Sequence, residues 1–354
     1  MPAPYPCTLA LRGSPRLAML RGHFRDGGGT SMRILSGVQP SGEAHLGNYF
    51  GAMRQHVEQQ TRGDAIIFVA DYHSMTSIRE AARRRALVEE LVLDYLACGL
   101  DPERAILYRQ SDLPETCELT WLLTTVTPMG LLERATSYKD KVAQGIAPDH
   151  GLFAYPVLQA ADILQFRSDL VPVGQDQKQH IEMARDIATK FNNTYDCEVF
   201  KLPEPAIVED VAVVPGVDGR KMSKSYGNVL RMFWPEKQLR KAIMAIVTDS
   251  SPVEAPKNTE QTLFQLWSLF ATRAEREALF ARAAAGGMGY GDVKKDLADR
   301  AIAYFAPMRA RREALARQAG LVEDVLADGA KRARALAAPI FDAARRAAGV
   351  GRAR

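Results

Sequence analysis

Four short apolar runs, MRILSGV (32–38), AIIFVAD (65–71), AILYRQ (105–110) and DLVPVG (169–174), alternate with segments whose apolar residues recur at helical spacing. The clearest helical patterns are RRRALVEELVLDYLACGL and KQHIEMARDIATKF. Short buried strands interleaved with helices predict an α/β fold, a Rossmann-like doubly wound parallel sheet with helices on both faces. Ligands of such sheets bind beyond the carboxyl ends of the strands. Three groups of residues fall there: the crossing from Pro40 to Asn48 after the first strand, Asp71 and His73 after the second, and Gly174-Gln-Asp-Gln after a later one.

The first crossing lies within SGVQPSGEAHLGNYFGA, Ser36 to Ala52. After His45 the apolar positions Leu46, Tyr49, Phe50, Met53 and Val57 return at helical spacing, so the order is strand, glycine-containing loop, helix. Free N–H groups in the first turn of such a helix favour an anion such as a phosphate. The loop matches neither the dinucleotide fingerprint nor the Walker loop, and a plain structural turn is the alternative reading.

Beyond about Trp234 the chain turns Ala-, Arg- and Glu-rich and helical, with no convincing buried strand. The boundaries drawn are a flexible N-terminal extension over 1–31 ending in DGGGTS, a Rossmann-like domain over 32–233, and a helical region over 234–354. A helical insertion at about 115–145 is expected to pack with that last region. With 354 residues, 47% hydrophobic and 25% charged, the chain has an ordinary soluble composition with ample core. Its net charge of +4 is compatible with nucleic acid without demanding it. The stretch AKRARALAAPIFDAARRAAGVGRAR is far more basic than the mean, and reads either as a contact surface or as a solvated helix face.

Cys7, Cys98, Cys117 and Cys197 form no C-x-x-C pair and no plausible zinc set, so no metal site is expected and a reducing cytoplasm is the simplest setting. Arginines and prolines interrupt the apolar N-terminal residues, giving no export signal, and no run approaches a membrane span. The extension reads as a loose appendage or an over-long gene start.

Two further stretches carry chemistry. RKMSKSYGN, Arg220 to Asn228, sets Lys221 and Lys224 among serines and glycine on an expected mobile loop. Two ammonium groups there could close over a polyphosphate, although a solvated loop is the simpler reading of the charge alone. In FAYPVLQAADIL, Tyr155, Leu158, Gln159 and Asp162 share one helix face. A carboxylate on that mostly apolar stripe needs a donor, such as an indole N–H, an arginine or a backbone amide.

A Pro-Ser-Gly…His-Leu-Gly-Asn element followed downstream by Lys-Met-Ser-Lys-Ser resembles the paired signatures of class I aminoacyl-tRNA synthetases. With YPVLQAADIL and VPVGQDQKQHIE added, the chain from about Arg33 to the C-terminal helices resembles bacterial and organellar tryptophanyl-tRNA synthetases. The resemblance implies a tryptophan–tRNA ligase that activates tryptophan with ATP, Mg2+ riding on the phosphates, and then charges tRNA(Trp). Gln39, Pro40, Ser41, Gly47 and Asn48 would line the phosphates and adenosine, with His45 favouring the pentacovalent phosphorus. Gly174, Gln175 and Asp176 would hold the ribose and adenine side, with Val213 near the base. Lys221, Met222, Ser223, Lys224 and Ser225 would form the closing loop, and Lys141 in SYKDKVAQG would add a third lysine.

The resemblance assigns Asp162 to the indole N–H, and Gln177 with Gln39 to the substrate's ammonium and carboxylate. His73, Tyr155, Gln159, Val171, Val173 and Leu35 would complete the pocket. Leu35 departs from a position that is often aromatic, and Gln159 from a methionine of one branch; Gln159 and the extension together resemble an auxiliary, second-type form. The resemblance further implies a homodimer contact near PMGLLERATSYKDK and an anticodon-binding role for the helical region, with Arg240, Lys241 and the basic tail. A further protein partner through the extension stays open. The rival readings are a tyrosyl-tRNA synthetase and a paralogue that binds tryptophan, ATP or a protein without charging tRNA.

Overall fold

The computed structural model describes residues 32–351 apart from 144, 146–148 and 208–213, and leaves out the side chains of 137, 140–142 and 176. The expected extension and Val213 thus lie outside the described residues, as do the side chains of Lys141 and Asp176.

The chain opens with β1 (Arg33–Val38), α1 (Leu46–Asn48), a π-helical turn (Tyr49–Met53), α2 (Arg54–Gln59) and β2 (Asp64–Val69). Then come α3 (Asp71–Ser74), α4 (Ala81–Ala97) and β3 (Ile106–Arg109), followed by the insertion helices α5 (Glu115–Thr124), α6 (Met129–Glu133) and α7 (Thr136–Ala143). Next are α8 (His150–Leu164), β4 (Leu170–Val173), α9 (Lys178–Thr194) and β5 (Glu204–Ile207). The C-terminal part comprises α10 (Glu236–Met244), α11 (Thr262–Ser268), α12 (Arg273–Ala285), α13 (Tyr290–Ala316) and α14 (Leu321–Ala347).

All strand pairings are parallel, in the order β3-β2-β1-β4-β5. Both faces are covered: in β2, Ala65, Ile67 and Val69 enter one core while Ile66 and Phe68 enter the other. The strand order reverses at β1 and β4, which opens a crevice at their carboxyl ends. The sequence pattern does not show β5, whose four residues, Glu204-Pro-Ala-Ile, carry only two aliphatic side chains. The strand lies at the sheet edge, where a missing N–H is tolerated.

The C-terminal helices complete the same two cores. Tyr49 and Phe50 of the π turn pack edge-on against Phe270, Tyr304 and Phe305. At the other edge of the sheet, α14 lies against β3 so closely that a Cβ at Gly329 would overlap the Leu107 carbonyl. The helix thereby shields an edge strand. The insertion does pack with this region, through Glu115–Arg334 at 2.9 Å and the Glu118–Arg345 pair. Among the described residues no helix is long and apolar enough to cross a membrane.

Candidate active site

His45 caps α1. Its Nδ1 accepts the Asn48 N–H at 3.3 Å, while Asn48 Oδ1 accepts the His45 N–H at 3.2 Å, a reciprocal capping box. Burial, followed by the nearby Lys224 and Arg231 charges, lowers the His45 pKa to about 4. The imidazole is therefore neutral near pH 7, and with Nδ1 accepting, Nε2 carries the proton and can donate it to a ligand oxygen. Since Oδ1 of Asn48 is committed, its amide nitrogen is the end left to donate.

The Lys221–Ser225 segment is brought against this loop. Lys224 Nζ lies 3.5 Å from Ser41 Oγ, its stem passing Gly42, whose φ of +112° disfavours any side chain. Burial lowers the Lys224 pKa, with the Arg231 charge adding to the effect. Met222 is buried in the core, so the residue between the two lysines acts as the anchor. Side-chain bonds fasten this loop. Asn228, 2% exposed, donates to Asp218 Oδ1 (2.7 Å) and Lys221 O (3.1 Å) and accepts from Ser223 N (2.8 Å). Arg220 pairs with Asp218 and lies 4.6 Å over the Tyr226 ring.

At the switch point a cavity of about 400 Å³ opens between β1, β2, β4 and α8. It brings together Leu35, Gln39, His73, Tyr155, Gln159, Val171, Val173 and Gln177, all of which the sequence had nominated. Asp162 is the exception. It is 0% exposed and sits behind the cavity wall, with Gln110 Nε2 donating to both carboxylate oxygens (2.8 and 2.9 Å) and His73 Nε2 sharing a 2.7 Å bond with Oδ2. Burial raises its pKa, an effect that the His73 and Gln110 bonds oppose. Tyr155 OH is set by His180 Nε2 at 2.7 Å.

Gly174 and Gln175 are exposed at the turn after β4. Pro40 is buried beneath the first loop, and Gly47 lies between the His45 ring and Met222. Lys221 and Ser225 are exposed, and Ser223 and Ser225 share a 2.8 Å hydroxyl bond.

Several residues escaped the sequence reading. Gln110 follows β3, at the strand end where ligands are expected, and so could have been found. Phe68 lines the cavity from β2, its ring lying where a Cβ on Gly37 would stand; an aromatic wall missing at Leu35 is thus supplied by the neighbouring strand. Arg231 pairs with Glu43 at 2.5 Å and adds positive charge beside His45. Asn228 carries no sequence signal for its three bonds.

Compared with known proteins, residues 29–306 match the family described as tRNA synthetases class I (W and Y). A tryptophan–tRNA ligase of Fusobacterium nucleatum is 52% identical over 305 residues, covering 86% of this chain and 94% of that one. The one from Rhodopirellula baltica is 53% identical over 320 residues, covering 90% and 100%. Among solved structures, the Campylobacter jejuni tryptophanyl-tRNA synthetase complexed with ADP and tryptophan superposes with a TM-score of 0.84 at 45% identity, over 90% of this chain and 100% of that one. A tyrosyl-tRNA synthetase of Archaeoglobus fulgidus, 21% identical with a TM-score of 0.61, shares the fold.

Proposed function

This chain belongs to the class I tRNA synthetases (W and Y), and we infer from that membership and from its cavity that it is a tryptophan–tRNA ligase. The observation that carries the mechanism is the adjacency of an apolar, glutamine-edged cavity to a cationic loop across the Pro40–Gly42 turn. We place tryptophan in the cavity, its indole against Phe68, Leu35 and Val171, with Gln39 and Gln177 at its ammonium and carboxylate. ATP lies over Ser41, Gly47 and Asn48, its adenosine toward the Gly174–Gln175 turn.

A carboxylate oxygen of tryptophan attacks the α-phosphorus, and the bond to the bridging oxygen of pyrophosphate breaks. No protein nucleophile is needed. Neutral His45 donates from Nε2 to the phosphoryl oxygens, and Asn48 donates its amide. Lys221 and Lys224, with Lys141, stabilise charge as it moves to pyrophosphate. We take magnesium to ride with ATP, whose phosphate oxygens are the hard ligands it prefers, while the loops that would face the phosphates offer cations and donors. The adenylate then passes its aminoacyl group to the terminal ribose of tRNA(Trp).

For selectivity we assign the indole N–H to Asp162. A carboxylate can accept about four hydrogen bonds, so one more is possible once His73 shifts to expose it. Tyrosine lacks that donor, and a missing hydrogen bond at such a site discriminates by roughly 10⁴-fold in favourable cases. The exposed Trp121 (68%), shortly before the PMGLLERATSYKDK segment, and Met129 within it are where we place the homodimer contact.

The test is ATP–pyrophosphate exchange with tryptophan, tyrosine or no amino acid, followed by charging of tRNA(Trp). Tryptophan-dependent exchange and charging support the reading. Exchange without charging leaves the non-charging paralogue, and exchange driven by tyrosine refutes the assignment of the pocket.

A further inference from the structure

Asp94, on α4, is 1% exposed among Leu91, Tyr95 and Leu96, yet none of the proposed catalytic steps uses it. Arg312 of α13 donates from Nε to Asp94 Oδ1 at 2.5 Å, and the main-chain N–H of Ala44 faces the same carboxylate closely enough to favour its charged form. Ala44 immediately precedes His45.

The other side of this loop is fastened by a second segment, 230–232. Leu46 N donates to Leu230 O at 2.9 Å, Met232 N donates to Ala44 O at 3.4 Å, and His45 bridges to Arg231. Arg312 also reaches this segment, its guanidinium lying 5.1 Å over the ring of Phe233, the residue after Met232. One side chain of α13 therefore touches one support of the loop that carries His45 and the residue that follows the other.

We propose that Asp94 and Arg312 are positioning residues for adenylate formation, Asp94 holding the Ala44–His45 main chain in register and Arg312 tying that hold to the C-terminal helix α13. The inference rests on the adenylate-forming reading of the site. For stability alone a well-packed apolar pair would serve as well as a buried ion pair. What the carboxylate adds is an acceptor for one main-chain N–H beside the catalytic histidine. Burial, only partly offset by the Arg312 charge and hydrogen bond, leaves the Asp94 carboxyl raised to about 6. The same carboxylate, with Glu43 and Glu90, favours the charged form of Lys224 across the site.

The experiment compares two double variants of the full chain, D94L/R312M and D94N/R312M. Leucine fills the space with no acceptor, whereas asparagine restores an acceptor without charge. In tryptophan-dependent ATP–pyrophosphate exchange, D94L/R312M is expected to lose about tenfold in kcat/KM for ATP with the tryptophan KM unchanged. D94N/R312M should recover most of that loss at a similar melting temperature. Hydrogen exchange of the peptide over 43–47 supplies a readout independent of activity: faster in D94L/R312M, near wild type in D94N/R312M.

Wild-type ATP kinetics in D94L/R312M would overturn the inference, as would a loss that follows the melting temperature and is not recovered by asparagine. If the wild-type chain shows no exchange at all, the functional reading fails by itself. The 43–47 amides then decide the pair: equal protection in the wild type and D94L/R312M refutes it, and loss with recovery supports it.

Discussion

Replacing Asn228 with alanine should separate catalysis from binding. The side chain satisfies Lys221 O and Ser223 N, the two main-chain groups that flank Met222 within the lysine loop. Removing both bonds at a buried site costs about 2 kcal/mol, which corresponds to roughly 30-fold in the population of the ordered loop. On the proposed role of Lys221 and Lys224, acting as charge reaches pyrophosphate, the loss should fall on kcat of tryptophan-dependent exchange, with the tryptophan KM kept. Asn228→Asp should be worse than Asn228→Ala. It sets a second carboxylate where the amide nitrogen now stands 2.7 Å from Asp218 Oδ1. The swapped pair Asp218→Asn with Asn228→Asp restores donor against acceptor and should regain part of the rate. A folded Asn228→Ala protein with unchanged kcat, or a swap no better than Asn228→Asp, would refute this fastening.

Lys224→Ala should lower the activation rate far more than tryptophan binding, whereas Asp162→Ala, which strips the acceptor from His73 and Gln110, should first damage tryptophan affinity and selectivity; equal losses of binding in both would contradict these roles. His56 is held neutral by burial, its pKa lowered from 6.5 to about 4, so the unfolded chain takes up the proton first. Its contribution is full above pH 6.5 and declines toward pH 4, by roughly 3 kcal/mol. Asp94, raised to about 6, offsets part of this over the same range. The melting temperature of His56→Phe should therefore fall less than that of the wild type between pH 7 and pH 4, and parallel melting curves would count against it. Trp121→Glu should shift a dimer toward monomer in sedimentation, and an unaltered mass would move the contact elsewhere.

The strands from β1 to β4 were legible because they arise from local periodicity, as in the alternating cores of β2, and so was the face of α8 that carries Tyr155 and Gln159; the pocket roles of Leu35, Gln39, His73, Val171, Val173 and Gln177 came only from the family resemblance. β5 was not: β4 also has four residues and an internal proline but three aliphatic ones, Leu170, Val171 and Val173, whereas Glu204-Pro-Ala-Ile has only Ala206 and Ile207. The π turn after Asn48 keeps the apolar spacing of a helix while enlarging one turn, so periodicity alone passes over it. The supports behind the site were illegible for a different reason. Asp94 and Arg312 are 218 positions apart, and nothing local in either helix announces the other.

The basic tail shows the same limit from the side of charge. As a sequence it offers a cationic surface for tRNA, yet in the fold Arg332 bonds the Pro102 and Ala105 carbonyls, Arg334 takes Glu115, and Arg345 takes Glu118. Arg240, nominated with that surface, is paired with Asp299. Lys241, Lys331 and Arg346 stay exposed. Arginines that fasten α14 to α5 and to the β3 edge are poorly placed to release counterions from a phosphate backbone, because each would first have to give up a partner. Substituting Lys241, Lys331 and Arg346 together should therefore reduce the salt dependence of tRNA binding while leaving the melting temperature near wild type. Substituting Arg334 and Arg345 should do the reverse, and a strong salt effect from the second pair would show that these internal ion pairs open when tRNA binds.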